Sequence, residues 1–270
     1  MADAAHTCDR PRSGPLVNGV RIDPRTPEAL VRTVEGFLRC GRSHVVHFLA
    51  ADPTVLARGR PAYRDLLNRG DLNVPDGMPV ALAARLQPRG VPEARRQPGT
   101  DSMQLVMRWG AGRGLAHYLY GGAPEVLQAM RVNLRAAIAG LRVVGAESPP
   151  FRDLAPAELD EAASRMREAG AEVVWVGLGT PKQDLVAEEL ARRDAASVIC
   201  CVGAAFDFVA GAKARAPRWM QQAGLEWLHR LASEPRRLWR RYLMGNARFV
   251  AGYLADRAHD LVRPASPRTR

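Results

Sequence analysis

From about residue 43 to about residue 208 the chain alternates short apolar, β-rich runs with amphipathic stretches, and this alternation restricts the fold more than any other feature. The runs SHVVHFLA (from Ser43), Leu72 to Val74, LAHYLYGG (from Leu115), LRVVGA (from Leu141), EVVWVGLG (from Glu172) and SVICCVGAAF (from Ser197) read as strands. Between them Asp52 to Gly70, Gly99 to Gly112, Pro124 to Gly140, Pro156 to Gly170 and Pro181 to Ala195 read as helices. Ahead of the series, Val17 to Asp23 is expected as a first strand and Thr26 to Gly41 as a helix capped by Thr26. Strands alternating with helices predict an α/β fold, a Rossmann-like, mostly parallel sheet flanked by helices. Ligands in such sheets lie beyond the carboxyl ends of the strands, so the loops after the strands are where chemistry is expected.

After Phe208 no strand-like run occurs, and Leu225, Leu228, Leu231, Leu238, Tyr242, Phe249 and Tyr253 recur at helical spacing, with a break at Pro235. The expected organisation is a disordered start over 1–14, an α/β body over 15–210, a helical appendage over 211–260 and a disordered tail over 261–270. Charge follows the same division. The net charge is +11, but from residue 211 onward thirteen basic residues stand against four acidic ones, so +9 belongs to the appendage and tail and +2 to the rest. All but two of the 39 basic residues are arginine, a bias that also fits a GC-rich coding sequence.

Several classes are disfavoured. No stretch reaches the roughly 18 apolar residues of a membrane-spanning helix, and MADAAHTCDRPRSG has charges where a signal peptide needs an apolar core, so a cytoplasmic location is expected. Neither G-x-G-x-x-G nor G-x-x-x-x-G-K-[ST] is present, which argues against a nicotinamide dehydrogenase or a P-loop NTPase. No Asp-x-Asp pair, G-x-S-x-G elbow or clustered histidine-carboxylate spacing stands out, and no cofactor or metal is expected. No nucleic-acid-binding motif accompanies the basic tail.

The strand ends carry the candidate residues. Asp76, in NVPDGMP, sits on a turn beyond a short strand, where a carboxylate can take a proton from a hydroxyl nucleophile; an Asx turn or helix cap is the plainer alternative. Arg96 and Asp101 lie in ARRQPGTDSM, where Gly99, Thr100 and Asp101 open a helix and capping is again the plain reading. In GLGTPKQD, Gly177 and Gly179 let a phosphate or sugar approach the backbone, Pro181 suits a first helical turn, and Lys182 and Gln183 are polar groups within reach of a ligand, although tight strand-to-helix turns use glycine anyway. The same holds for Gly121 and Gly122 in LYGGAPE. His47 and His117 read as packed core histidines. In EPRRLWRRYL, Arg237, Arg240 and Arg241 share a helix face with aromatics between them, fitting either a phosphate, an anionic membrane or a solvated basic face.

The segments LLNRGDLNVPDGMPVA, RRQPGTD, LYGGAPEV, VVGAESPPF, VWVGLGTPKQD and the long APRWMQQAGLEWLHRLASEPRRLWRRYL, in this order, resemble the WecG/TagA/CpsF family of bacterial glycosyltransferases, from about Leu16 to Tyr253. The resemblance implies inverting, metal-independent transfer of an N-acetylmannosamine-like sugar or its uronic acid from a UDP-sugar to a polyprenyl-diphosphate-linked acceptor, at the inner face of the cell membrane. It implies Asp76 as general base, Arg96 and Gln183 around the substrates, and Arg230, Arg237 and Arg240 as appendage arginines that close the site. With the glycine-bearing loops it marks Gly77, Gly99, Asp101, Gly121, Gly122, Gly177, Gly179, Thr180, Pro181, Lys182 and Asp207 as substrate-binding candidates. One departure stands out: members often carry T-x-N after the strand before the first long helix, where this chain reads HFLAADPT. A catalytically decayed membrane-binding protein on the same scaffold is the alternative, and the presence of both Asp76 and Gln183 favours an enzyme.

Overall fold

The computed structural model of the chain describes residues 14–87, 90–92 and 94–262, apart from the side chains of 222, 230, 237, 238, 240–243 and 259–262. The ends expected to be disordered fall almost wholly outside that range.

Six strands form one parallel sheet: β3 (His44–Leu49), β4 (Leu72–Pro75), β5 (Ala116–Gly121), β6 (Arg142–Glu147), β7 (Val173–Gly177) and β8 (Val198–Cys201), in the order β4-β3-β8-β7-β5-β6. β3, β4, β5 and β8 are buried throughout, as strands covered on both faces must be. Alternate residues serve opposite faces. Val46, Phe48, Leu119 and Trp175 pack with α1 (Pro27–Leu38), α5 (Gly99–Ala111) and α6 (Pro124–Ala137) on one side. Val45, Tyr120, Val174 and Ile199 pack with α7 (Pro156–Glu168) and α8 (Lys182–Arg192) on the other. Proline opens α1, α6 and α7, where its fixed φ suits the first turn and its missing N–H is no loss. Thr26 caps α1 as expected, its Oγ1 accepting the Ala29 N–H at 3.2 Å.

Three expectations need correcting. Val17 to Asp23 is not one strand but a tight hairpin, β1 (Leu16–Val17) and β2 (Val20–Arg21), reversed at Asn18 and Gly19 with φ of 53° and 78°. Asn-Gly is the dipeptide that tolerates two successive positive φ values. Asp52 to Gly70 is two helices, α2 (Ala51–Gly59) and α3 (Pro61–Arg69), parted at Arg60, whose extended φ of −136° is what a following proline imposes. SVICCVGAAF likewise leaves the sheet at Cys201, and Ala205 already begins α9 (Ala205–Val209). Cys200 and Cys201 are buried free thiols.

The C-terminal segment is helical: α10 (Arg218–Gln222), α11 (Glu226–Ser233) and α12 (Pro235–Val262), with Pro235 at the break. α12 lies along α2 and the hairpin. A methyl added at Gly245 would meet Asp52 Oδ1 at 3.0 Å, and one at Gly252 would meet Asn18 Oδ1 at 2.2 Å, so glycines seven residues apart give the helix its close approach. Phe249 joins the cluster containing Val17, Leu49 and Leu67, and Arg58 pairs with Asp256 at 2.5 Å. Among the described residues no helix is long and apolar enough to cross a membrane.

Candidate active site

The loops after β3, β4, β7 and β8, together with Gly122 after β5, meet under α12 and enclose a cavity of about 1060 Å³. A smaller cavity of about 190 Å³ continues from it toward α10, α11 and α4 (Met78–Arg85). Ala50, Asp52, Asp76, Val202 and Ala204 line both. Both cavities therefore open on Asp76.

Asp76 follows β4 directly. Its N–H donates to the Leu49 carbonyl at 2.9 Å, tying the turn to the end of β3, and its Oδ1 accepts the Gly99 N–H at the start of α5 at 2.7 Å. Gly77 heads α4, and a side chain there would press on Ala50. Gly99 packs flat against Phe48 and Val202. Arg96 holds this turn from the other side: its Nε donates to the Asp76 carbonyl at 2.8 Å, and its Nη2 pairs with Glu226 at the start of α11. Both partners of that pair are about nine-tenths buried, with side-chain exposures of 14% and 12%. Arg96 thus links the turn that bears Asp76 to the appendage.

On the far side of the large cavity, the β7–α8 loop brings Gly177, Gly179, Thr180 and Gln183 to the surface of the space. Gln183 is 4% exposed and its Oε1 has no protein partner. Its position is set from beneath. Asp184, the next residue, accepts the Tyr63 hydroxyl at 2.6 Å and sits 2.8 Å from His47 Nδ1, all three being buried. Burial and the Asp184 carboxylate push the Tyr63 phenol well above its ordinary value, so it remains the donor. His47, Asp184 and Cys201 form a cluster of metal-ligand atom types within 4.8 Å of one another. The carboxylate is already spanned by His47 and Tyr63, and Cys201 Sγ faces the Gln183 carbonyl at 3.6 Å, so the donor set is engaged as a hydrogen-bonded strut under α8. His47 is therefore more than a packed core histidine. The spacing concealed this because its partner is 137 residues away.

The glycines are required by backbone contact. Gly121 has φ of 126°, and a Cβ there would lie 2.5 Å from the Gly177 carbonyl oxygen; Gly122 donates its N–H to that same oxygen at 3.1 Å. Two adjacent strands leave the sheet in register at these positions and open the cavity floor.

Some expected residues point elsewhere. Lys182 Nζ donates to the carbonyls of Pro150 and Arg152, at 3.1 and 2.5 Å, and clamps the β6–α7 loop; neither it nor Pro181 lines either of the two cavities. Asp101 is half exposed and pairs with Arg215. Asp207 lines the large cavity but is engaged by Lys213 at 2.6 Å. The side chains of Arg230, Arg237 and Arg240 lie outside the described residues. The large cavity receives Arg248 from α12 and Arg60 from the break between α2 and α3. Neither was singled out by the sequence, and nor were Asp52, Glu226 and Trp227. The departure HFLAADPT puts the methyl of Ala50 and the carboxylate of Asp52 on the shared wall.

The model of the glycosyl transferase WecG/TagA/CpsF family matches residues 16–261, the hairpin, sheet and appendage together.

Proposed function

Because this chain belongs to the WecG/TagA/CpsF family of glycosyltransferases, we propose that it moves a sugar from a UDP-sugar to a polyprenyl-diphosphate-linked acceptor with inversion at the anomeric carbon. The observation that carries the reading is Asp76, a carboxylate on the turn common to two cavities of very different size. An inverting displacement is in line at the anomeric carbon: the acceptor hydroxyl, with the base beside it, attacks one face and the donor's leaving group departs from the other.

The large cavity has room for a nucleoside diphosphate sugar. In the reaction, Asp76 takes the acceptor hydroxyl proton as that oxygen bonds to the anomeric carbon. The bond from that carbon to the diphosphate oxygen breaks on the opposite face, and UDP leaves with the electron pair. Arg96 keeps the Asp76 turn in place, and the Gly99 N–H orients the carboxylate. Growing charge on the diphosphate is met by the cations Arg60 and Arg248, which line the same cavity. Gln183, held from below by Asp184, offers its amide to the donor. In this reading the protein itself supplies the counter-charge and no resident cofactor or metal is required.

The acceptor is lipid-linked, and the appendage is suited to an anionic leaflet: Trp219 and Trp239 are exposed, at 63% and 48%, and the sequence from Arg236 is basic. Each arginine near such a surface contributes about 1 kcal/mol. Arg230, Arg237 and Arg240 are assigned to this surface and to the leaving diphosphate.

The test is UDP release and product formation from a panel of UDP-sugars with short-chain polyprenyl-diphosphate monosaccharides. Asp76→Asn preserves the acceptor for the Gly99 N–H while removing the base, so turnover is expected to fall about 10²- to 10⁴-fold with UDP binding retained. Full turnover by Asp76→Asn would exclude Asp76 as the base.

A further inference from the structure

The smaller cavity has walls unlike those of the larger one. Gly224, at φ of 73°, lets the turn between α10 and α11 close onto Met78, where an added Cβ would sit 2.8 Å from Cγ. Trp227 lines the smaller cavity together with Met78 and Pro79 at the start of α4, while remaining 37% exposed. The polar residues lining the same cavity include Asp76, Arg96, Glu226 and Asn246. A flat aromatic beside carboxylate, guanidinium and amide groups is the chemistry that recognises a pyranose. Its C–H face carries partial positive charge and seats against the negative face of the indole, while its hydroxyls find donors and acceptors around the rim. A volume of about 190 Å³ admits one sugar ring and excludes a nucleoside diphosphate.

We propose that this cavity is the subsite for the acceptor's sugar ring, with Trp227 as its stacking platform and the ring's nucleophilic hydroxyl directed at Asp76. The assignment rests on the sugar-transfer reading above and adds which cavity takes which substrate. It also gives the Arg96–Glu226 pair a purpose: the pair joins the Asp76 turn to the first residue of α11, one position before Trp227, so base and platform move as a unit.

The experiment uses the full chain, the UDP-sugar that the wild type consumes, and a farnesyl-diphosphate-linked monosaccharide in vesicle-free buffer. Trp227→Ala is expected to raise the acceptor KM about tenfold and to leave the donor KM within about twofold. Trp227→Leu, which keeps apolar bulk without a π face, is expected to match Trp227→Ala, and Trp227→Phe to stay within about threefold of wild type. Thermal melting of each variant reports folding, and the leucine variant carries the test if the alanine variant melts early. An acceptor KM that does not move while binding to anionic vesicles weakens would make Trp227 a membrane anchor and overturn the subsite. Equal rises in donor and acceptor KM, or a leucine variant as good as wild type, would overturn it as well. If the wild type transfers sugar to no member of the panel, the sugar-transfer reading itself fails, an outcome distinct from all of these.

Discussion

The contact between Arg96 and Glu226 tests how the appendage is joined to the site. Arg96 donates to the Asp76 carbonyl at 2.8 Å and to the Gln221 carbonyl at 3.4 Å, and its remaining nitrogen pairs with Glu226. With side-chain exposures of only 14% and 12%, the pair is screened far less than a surface ion pair, yet it is not fully dry. Removing one partner of a fully buried pair destabilises by roughly 3–5 kcal/mol, so with this residual exposure Glu226→Ala is expected to destabilise by about 2–3 kcal/mol. Glu226→Gln retains an acceptor and loses only the charge assistance, about 1 kcal/mol. Hydrogen exchange over residues 218–233 should rise sharply in Glu226→Ala, because the carboxylate anchors the first turn of α11 to the body. A double-mutant cycle with Arg96→Ala, read by urea denaturation, should give a coupling of about 1 kcal/mol or more. Additivity within about 0.5 kcal/mol, together with unchanged exchange, would refute the latch.

Two further outcomes are expected. His117 is wholly buried, accepts the Trp175 indole N–H at 3.2 Å, and burial lowers its pKa from 6.5 to about 4. Below pH 6.5 the unfolded chain binds a proton there that the folded chain refuses, so stability should fall by up to roughly 3 kcal/mol between pH 6.5 and pH 4; a folded-state NMR titration of His117 near 6.5 would contradict this. Gly121→Ala places a methyl 2.5 Å from the Gly177 carbonyl oxygen at a φ of 126°, and should destabilise by about 2 kcal/mol or more and open the cavity floor; a Tm within 1 °C of wild type, roughly the scatter of a melt, would contradict that contact.

The body of the fold was legible because a buried parallel sheet imposes short apolar runs at fixed intervals, and every such run from β3 onward is a strand. Helix starts were legible for an equally local reason, proline and Thr26 at first turns. The misread elements were those whose local cue was present but outweighed: Asn18-Gly19 inside an apolar run, and Pro61 inside an amphipathic one. The lining of the large cavity was legible where a residue lies on a strand-end turn, as for Asp76, Gly122, Gly177 and Gln183. Lys182 and Asp101 stand outside both cavities, the first held by the carbonyls of Pro150 and Arg152 and the second engaged by Arg215.

The order of residues by itself determined the family, the alternation that builds the sheet, the turn that presents Asp76 and the uneven charge, since each is carried by neighbours in the chain. Tertiary structure alone decided that His47, Tyr63 and Asp184 form one strut, that Arg96 answers Glu226, and that Trp227 and Arg248 face the same site as Asp76. Those partners lie tens to more than a hundred residues apart. Periodicity says which face of a helix is apolar, but it carries no record of which distant surface that face will meet.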